Sequence, residues 1–281
     1  AEASTRFEPG SVSMLEPAPS IPWRLRPATR RLGAAGYLVG VLPRDLDPRR
    51  IPHHIACVMD GNGRWAEQRN LPRTEGHTAG ERSLFEVLDA AERLGVGWFT
   101  VYAFSTENWR RPVEEVQFLL QFNEETLLGR QQELHERNIR IRFVGRRDRR
   151  VPRRLVRRMD EAAALTRDNT GLNFTIAFNY GGRAEIVDAV QRILDGGVKR
   201  VTERTIARHL YDPEMPDPDL VIRTSGEYRI SNFLLWELAY SELLFSDVLW
   251  PDFGRENLYE AIKEYQDRDR RFGGVGSTGE M

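Results

Sequence analysis

Cysteine is almost absent from this sequence. Cys57 stands alone, so no disulfide can close within the chain, and a reducing, cytoplasmic setting is the expectation. It lies in the apolar run Ile55-Ala56-Cys57-Val58-Met59, where a buried structural thiol is the natural reading rather than a nucleophile. Lysine is nearly missing too. Lys199 and Lys263 are the only two, and arginine carries the remaining positive charge. Arginine is a good bidentate partner for phosphate, although genome composition explains most of this bias more simply. No sign of charge prevails: the formal net charge is -1 over 281 residues. That removes any global pull toward nucleic acid or anionic lipid, and no nucleic-acid partner is expected. Long hydrophobic runs are lacking as well. The best, residues 32–42, falls short of the roughly 18–20 apolar residues of a membrane span. It also follows a long tail rather than a compact signal-peptide start.

Several catalytic motifs are missing. There is no G-x-x-x-x-G-K-[ST], which excludes a P-loop nucleotidase. There is no Cys/His cluster with zinc spacing and no G-x-S-x-G elbow. Gly274, Gly276 and Gly279 do spell G-x-G-x-x-G, but no helix can follow them before residue 281.

What is present is ordinary globular composition, 30% charged and 40% hydrophobic, enough for one large domain. Residues 1–32, rich in proline, read as a disordered tail. Residues 33–50 read as a short N-terminal helix and linker, which offers a surface for peripheral membrane contact or, more plainly, packs on the domain. The regular domain spans 51–275, and 276–281 reads as a second disordered tail.

Within the domain, strand and helix patterns alternate. Ile55 to Met59, Trp98 to Phe104, Ile139 to Val144, Asn173 to Asn179 and Leu220 to Ile222 read as strands, and Glu242 to Phe245 as the start of a sixth. Leu84, Val87, Leu88, Ala91 and Leu94 recur at helical spacing. Pro112 sits where a helix likes to start, and Val116, Leu119, Leu120, Leu127 and Leu134 predict one long helix over 113–137. Further helices are expected over 152–168, after Gly181-Gly182, and around Leu258, Ile262 and Tyr265. The expected fold is α/β: a single domain with a central, mostly parallel six-stranded sheet surrounded by helices.

In open parallel sheets ligands sit beyond the carboxyl ends of the strands. The segments there are Asp60-Gly61-Asn62-Gly63-Arg64-Trp65, then Ser105-Thr106-Glu107-Asn108-Trp109-Arg110-Arg111-Pro112, then Asn179 to Arg183, then Arg223 to Asn232. Each combines small, amide or hydroxyl residues with arginine. Gly61 and Gly63 allow close backbone approach to an anion, and Arg64 adds a fork of donors. Asp60 would repel phosphate unless Mg²⁺ bridges the two. Its alternative role is to cap the following helix. Arg73 and His77 follow closely; His77 is either a phosphate donor or an ordinary surface or capping histidine. Arg223, Arg229 and Ser231 form a second cationic cluster, for which a surface ion pair of Arg229 with Glu227 is the bland alternative. Two clusters suggest two phosphorylated substrates.

These segments resemble the signatures of the cis-prenyltransferases, the undecaprenyl and polyprenyl diphosphate synthase family of bacterial type. The blocks His54 to Ala66, Gly76-His77-Thr78-Ala79-Gly80, Ser105 to Pro112, Phe178 to Arg183, Asp219 to Trp236 and Arg270 to Gly274 occur in the family's order. The double aspartate D-D-x-x-D of trans-type prenyl synthases is absent. Departures are small: Glu237 stands where glutamine is common, and Cys57 where a branched aliphatic is common.

The resemblance implies a Mg²⁺-dependent homodimer that adds isopentenyl diphosphate to an allylic primer, commonly farnesyl diphosphate. The product would be a long polyprenyl diphosphate, precursor of the cell-wall glycan lipid carrier. A short-chain synthase and a non-catalytic scaffold subunit are the alternatives. It also implies roles. Asp60 would hold Mg²⁺ and act in catalysis, with Glu242 as a second metal ligand that reaches toward the partner subunit. Gly61, Asn62, Gly63, Arg64, Arg73 and His77 would bind the allylic diphosphate. Arg223, Arg229, Ile230 and Ser231 would bind isopentenyl diphosphate. Trp65 and Trp109 would line the mouth, Ser105 and Asn108 would lie near the reacting carbons, Thr106 and Glu107 would bind substrate, and Arg111 would sit on a flap. Asn108 is described in the family as a proton acceptor. An amide is a weak base, so Asn108 is read here as orienting substrate while the departing diphosphate takes the proton. Ala103, Val101, Leu88, Ala91 and the apolar face of helix 113–137 are candidates to line a product tunnel, with ordinary core packing an equal alternative for each.

Overall fold

The computed structural model describes residue 43 and residues 45–268. The expected tails, the apolar run 32–42 and the block Arg270 to Gly274 lie outside the described residues. Of the expected 33–50 helix, the described part is a 3-10 turn, Pro48–Arg50, capped by Asp47.

Six strands form one sheet: β1 (His54–Val58), β2 (Trp98–Ser105), β3 (Arg140–Val144), β4 (Asn173–Tyr180), β5 (Leu220–Arg223) and β6 (Glu242–Phe245). The order is β3-β4-β2-β1-β5-β6 and every pairing is parallel. Among the described residues eight α-helices accompany them: α1 (Asn62–Glu67), α2 (Arg73–Arg93), α3 (Val113–Gly129), α4 (Gln131–Glu136), α5 (Arg153–Leu165), α6 (Gly182–Asp195), α7 (Glu203–Ala207) and α8 (Arg255–Asp267). Among the described residues, no helix is long and apolar enough to cross a membrane.

The strands are apolar runs because both faces of the sheet are covered. One face carries the larger core, where Ile55, Phe99, Phe104, Phe174 and Ile176 meet Leu88, Leu134, Leu258 and Ile262. Each such side chain, fully buried, contributes ~1.5–3 kcal/mol. The other face holds a smaller core around Tyr180, Phe233 and Leu234. α5 buries Leu155, Met159 and Ala162, spaced on one helical face.

The long helix expected over 113–137 is broken. α3 stops at Gly129, Arg130 leaves helical geometry (φ -101°, ψ 12°), and α4 begins anew. Glycine is a poor helix former, and Arg130 gains a stacked position 3.7 Å from the Phe85 ring centroid. The side chain of Leu127 is outside those described. Helix α7 was not expected; it is short and has no buried residue, with Thr202 as its N-cap.

Two features shape the sheet's carboxyl edge. In the β2–β4 register Tyr102 pairs with Ala177 and Phe104 with Phe178, leaving Ala103 as an extra residue; Ser105 then pairs with Tyr180, leaving Asn179 extra on β4. Two bulges thus cancel. Meanwhile α1 and α2 pack so closely that a Cβ on Gly76 would lie 1.9 Å from the Asn62 carbonyl oxygen. Only glycine allows that contact.

Candidate active site

A cleft of about 590 Å³ opens at the carboxyl edge of β1, β2 and β5. Its lining is mixed. Asp60, Asn62, His77, Ser105, Glu107, Asn108, Arg111, Arg223, Arg229 and Ser231 supply polar groups, and Leu84, Ala103, Leu119, Phe122 and Trp250 supply apolar surface, with the His77 ring against Phe122. Pockets of this size and mixed character suit organic ligands.

The polar floor is built on Arg223, at the end of β5 and 4% exposed. Its Nη2 donates to Asp60 Oδ2 at 2.7 Å. Its Nη1 donates to Ser231 Oγ at 2.6 Å and to the Arg229 carbonyl at 2.5 Å. Its Nε is buried with no protein partner among the described residues. Thr224 fixes the tip of β1: its Oγ1 accepts from the Asp60 N–H and donates to the Asp60 carbonyl. Asp60 does not cap α1. That position belongs to Gly61, in left-handed geometry with φ 111°, so the capping alternative is set aside.

The first cationic cluster gathers around α1 and the start of α2. Arg64 donates to the Ser225 carbonyl and Oγ and lies 3.4 Å from Glu227. Arg73 is exposed, 3.7 Å from Glu115, and a Cβ on Gly63 would press on its guanidinium. The Asn62 amide contacts His77 Nδ1 at 3.2 Å. With the amide as donor, the neutral ring carries its proton on Nε2. Burial first, then the Arg111 and Arg73 charges, push His77 down to about 4, so it is a neutral donor at physiological pH. Asn62 Oδ1 is buried without a partner.

In the second cluster Arg229 is ion-paired with Glu227, as the bland alternative had it, yet still lines the cleft. Ser231 adopts φ 50° and turns its hydroxyl to Arg223. Ile230 is half-buried, and its carbonyl accepts from the Phe233 N–H; it does not line the cleft.

On the β2 side, the Ser105 N–H donates to Asn108 Oδ1 at 2.9 Å. The amide oxygen is therefore occupied, and Asn108 offers the cleft its NH₂. Thr106 packs against Gly181, where a Cβ would lie 2.5 Å from its Oγ1. Burial would raise Glu107's carboxyl, but hydrogen bonds led by Asn232 hold it below its usual range. Arg111 pairs with Glu115 at 2.8 Å.

Two expectations need correction. Trp65 and Trp109 are outside the cleft lining: the Trp65 N–H is held by Asp252 under the Arg69 guanidinium, and the Trp109 N–H by Asn179 against Phe104. Val101, Leu88 and Ala91 are sealed in the core; Ala103 with α3 residues Leu119 and Phe122 forms the apolar wall instead. Glu242, which the resemblance directs toward a partner subunit, stands apart from Asp60 in its own chain. It begins β6, level with Leu220, about 10 Å back from Arg223 at ~3.3 Å per residue, and is paired with Arg268.

Sequence reasoning missed Glu81 and Leu84, which line the cleft. Their spacing of four and seven residues from His77 puts them on the same face of α2, a signal that was available.

Among the described residues, no three His, Cys, Asp or Glu side chains gather as a metal cage. Mg²⁺ commonly binds through one or two carboxylates, its own waters and substrate phosphate oxygens. Asp60, one-third exposed in the cleft with one oxygen held by Arg223, fits this demand.

Residues 58–273 match the protein-family model described as "Putative undecaprenyl diphosphate synthase". The chain is 52% identical over 242 residues to a trans,polycis-polyprenyl diphosphate synthase ((2Z,6E)-farnesyl diphosphate specific) from Thermobifida fusca, covering 84% of this chain and 86% of that one. It is 49% identical over 228 residues to an isoprenyl transferase from Neisseria meningitidis serogroup B, covering 81% and 92%. Among solved structures it is similar to lavandulyl diphosphate synthase from Lavandula x intermedia in complex with dimethylallyl diphosphate (TM-score 0.77, 34% identity, covering 80% and 99%). It is also similar to a probable undecaprenyl diphosphate synthase from Campylobacter jejuni (TM-score 0.69, 28% identity, covering 79% and 98%). With a parallel sheet ending in a cleft lined by both cationic and apolar residues, and with these relatives, the chain belongs to the cis-prenyltransferase family.

Proposed function

We propose that this enzyme condenses isopentenyl diphosphate onto a farnesyl diphosphate primer, extending it repeatedly to a long-chain polyprenyl diphosphate that serves as precursor of the cell-wall glycan carrier. The observation that carries this reading is the buried Arg223 fork, joined to Asp60 and Ser231 in a cleft that Leu84, Ala103, Leu119 and Phe122 also line. A diphosphate satisfies the cationic floor while a growing hydrocarbon follows the apolar wall. The relative specific for (2Z,6E)-farnesyl diphosphate favours that isomer as primer here.

In this scheme Arg64, Arg73 and His77 bind the allylic diphosphate, and Arg223, Arg229 and Ser231 bind that of isopentenyl diphosphate. Asp60 holds Mg²⁺, which when bound neutralises charge on the diphosphate. As the allylic C–O bond ionises, negative charge moves onto the leaving group, where the preorganised donors hold it most strongly. The double bond of isopentenyl diphosphate attacks the allylic carbon, and the proton lost from the new cation goes to the departing diphosphate. Asn108, its oxygen already hydrogen-bonded, donates and orients rather than taking that proton. Two copies act as a homodimer, in which Glu242 meets the metal of the partner's site.

The test is purified protein with Mg²⁺, labelled isopentenyl diphosphate and either farnesyl isomer, with products sized by chromatography. A long ladder is expected. A ladder that stops after one addition assigns a short-chain synthase, and absence of Mg²⁺-dependent incorporation refutes the enzymatic reading in favour of a scaffold subunit.

A further inference from the structure

Two glutamates on the face of the sheet away from α2 take no part in the chemistry above. Glu185 on α6 and Glu237 after the Ser231–Trp236 stretch are 1% and 2% exposed. Glu185 is well supplied with donors: the Tyr180 hydroxyl bonds its Oε2, and the Tyr211 N–H bonds its Oε1 at 2.9 Å. Glu237 is the opposite. Among the described residues neither of its buried oxygens has a donor, and its carboxyl faces that of Glu185. Two ionised carboxylates in contact within a core repel and stay dehydrated, so such pairs retain one proton between them. The donors around Glu185 stabilise its charge, which leaves the proton on Glu237. A Glu237 O–H donating to Glu185 also resolves the missing partner.

The surroundings do not offer another solution. Tyr180 on β4, with Tyr102 of β2 beside it, donates rather than carrying charge. On α6, Asp188 is bound by Arg146 and the Tyr211 hydroxyl. Arg192 on α6 favours the Glu185 charge from a distance. Asp217, ahead of β5, adds negative charge near Glu237.

Glu237 ends a segment held in costly geometry. Ser231, Asn232 and Leu234 have φ of 50°, 65° and 43°, conformations that non-glycine residues rarely adopt. The segment is clamped where Arg223 grips Ser231 and where the Gly182 and Arg183 N–H groups grip Asn232. The Glu237–Glu185 contact is a further clamp, and it fastens the same segment to the same helix.

We propose that Glu237 is a positioning residue for the second diphosphate pocket: it keeps a proton shared with Glu185, and that hydrogen bond pins the segment that presents Ser231. This rests on the reading of that pocket as the isopentenyl diphosphate site. Burial first, then the Glu185 charge, raise Glu237 to about 9. The folded state therefore binds the proton more tightly than the unfolded chain, and the clamp is lost as pH rises through that value.

The experiment has two arms. Infrared spectroscopy of the wild-type protein near neutral pH should show the carbonyl stretch of a buried protonated carboxylic acid, missing in Glu237→Gln. No such band, or a band unchanged in Glu237→Gln, overturns the shared proton, whatever the activity. In kinetics, wild type should show KM for isopentenyl diphosphate rising above about pH 9 relative to Glu237→Gln, which keeps a donor but cannot ionise. Glu237→Leu should raise that KM about tenfold at neutral pH, the loss of one charge-assisted hydrogen bond, with the primer KM within twofold. Parallel alkaline profiles in wild type and Glu237→Gln, or equal effects on both KM values, overturn the positioning role. If no isopentenyl diphosphate is incorporated by any form, the proposed function fails while the infrared arm still reports on the proton.

Discussion

Arg223→Lys isolates what the guanidinium fork contributes, because it keeps the charge and most of the volume. In the structure Nη2 serves Asp60 at 2.7 Å while Nη1 serves Ser231 and the Arg229 carbonyl at 2.6 and 2.5 Å. An ammonium is a single point and cannot span both directions. At least one charge-assisted bond is lost, worth ~1.5–3 kcal/mol, which corresponds to a factor of roughly 10–150. Much of that loss falls on the pocket holding Ser231, so KM for isopentenyl diphosphate should rise by about that factor at saturating primer and Mg²⁺. The primer KM should move much less. Urea unfolding reads the stability component separately, since the lysine leaves part of a 5% exposed ion-pair site unfilled. A KM for isopentenyl diphosphate within twofold of wild type would refute the fork as the anion anchor. A selective rise in the primer KM would show that the two pockets have been exchanged.

Asn108→Ala should lower kcat about 100-fold or more with substrate binding still measurable, on the scale of removing one preorganised donor; unchanged turnover would end its orienting role. Ala103→Phe should shorten the product distribution, read by chromatography, because Ala103 forms part of the apolar wall; an unaltered distribution would place the hydrocarbon elsewhere. Gly76→Ala should destabilise the fold by at least about 1–3 kcal/mol in urea, the usual cost of overpacking, since its Cβ would meet the Asn62 backbone. Stability should fall as pH drops from 6.5 toward about 4. His77 and His54 are both held neutral down to about 4 by burial, so the unfolded chain takes up their protons first. Melting temperatures of His77→Gln against wild type over that range should converge at low pH; parallel curves would deny His77 a share.

Much of the fold was legible because strands covered on both faces must be apolar runs, and runs such as Ile55 to Met59 and Leu220 to Ile222 leave little choice. The polar cleft was legible for a related reason. Glycine, amide and arginine residues at successive strand tips have no packing role that would put them there. The break at Arg130 was harder to see, because the apolar spacing continues through it and a single stacking contact with Phe85 decides. The indole roles failed for a similar reason: an indole beside a loop motif gives no sign of which carboxylate or amide takes its N–H. Glu185 and Glu237 are 52 residues apart by their numbers, and nothing local marks two acids as sharing one burial site.

The cancelling bulges at Ala103 and Asn179 tie the lengths of two strands together. Deleting Ala103 alone would shift the end of β2 by one residue and turn Phe104 and Ser105 to opposite faces, carrying Asn108 with them. Deleting Asn179 alone would free the Trp109 indole and the Arg146 carbonyl that it holds. The rim of the cleft can therefore gain or lose residues in pairs, one from each strand, while a single change in either would dismantle it.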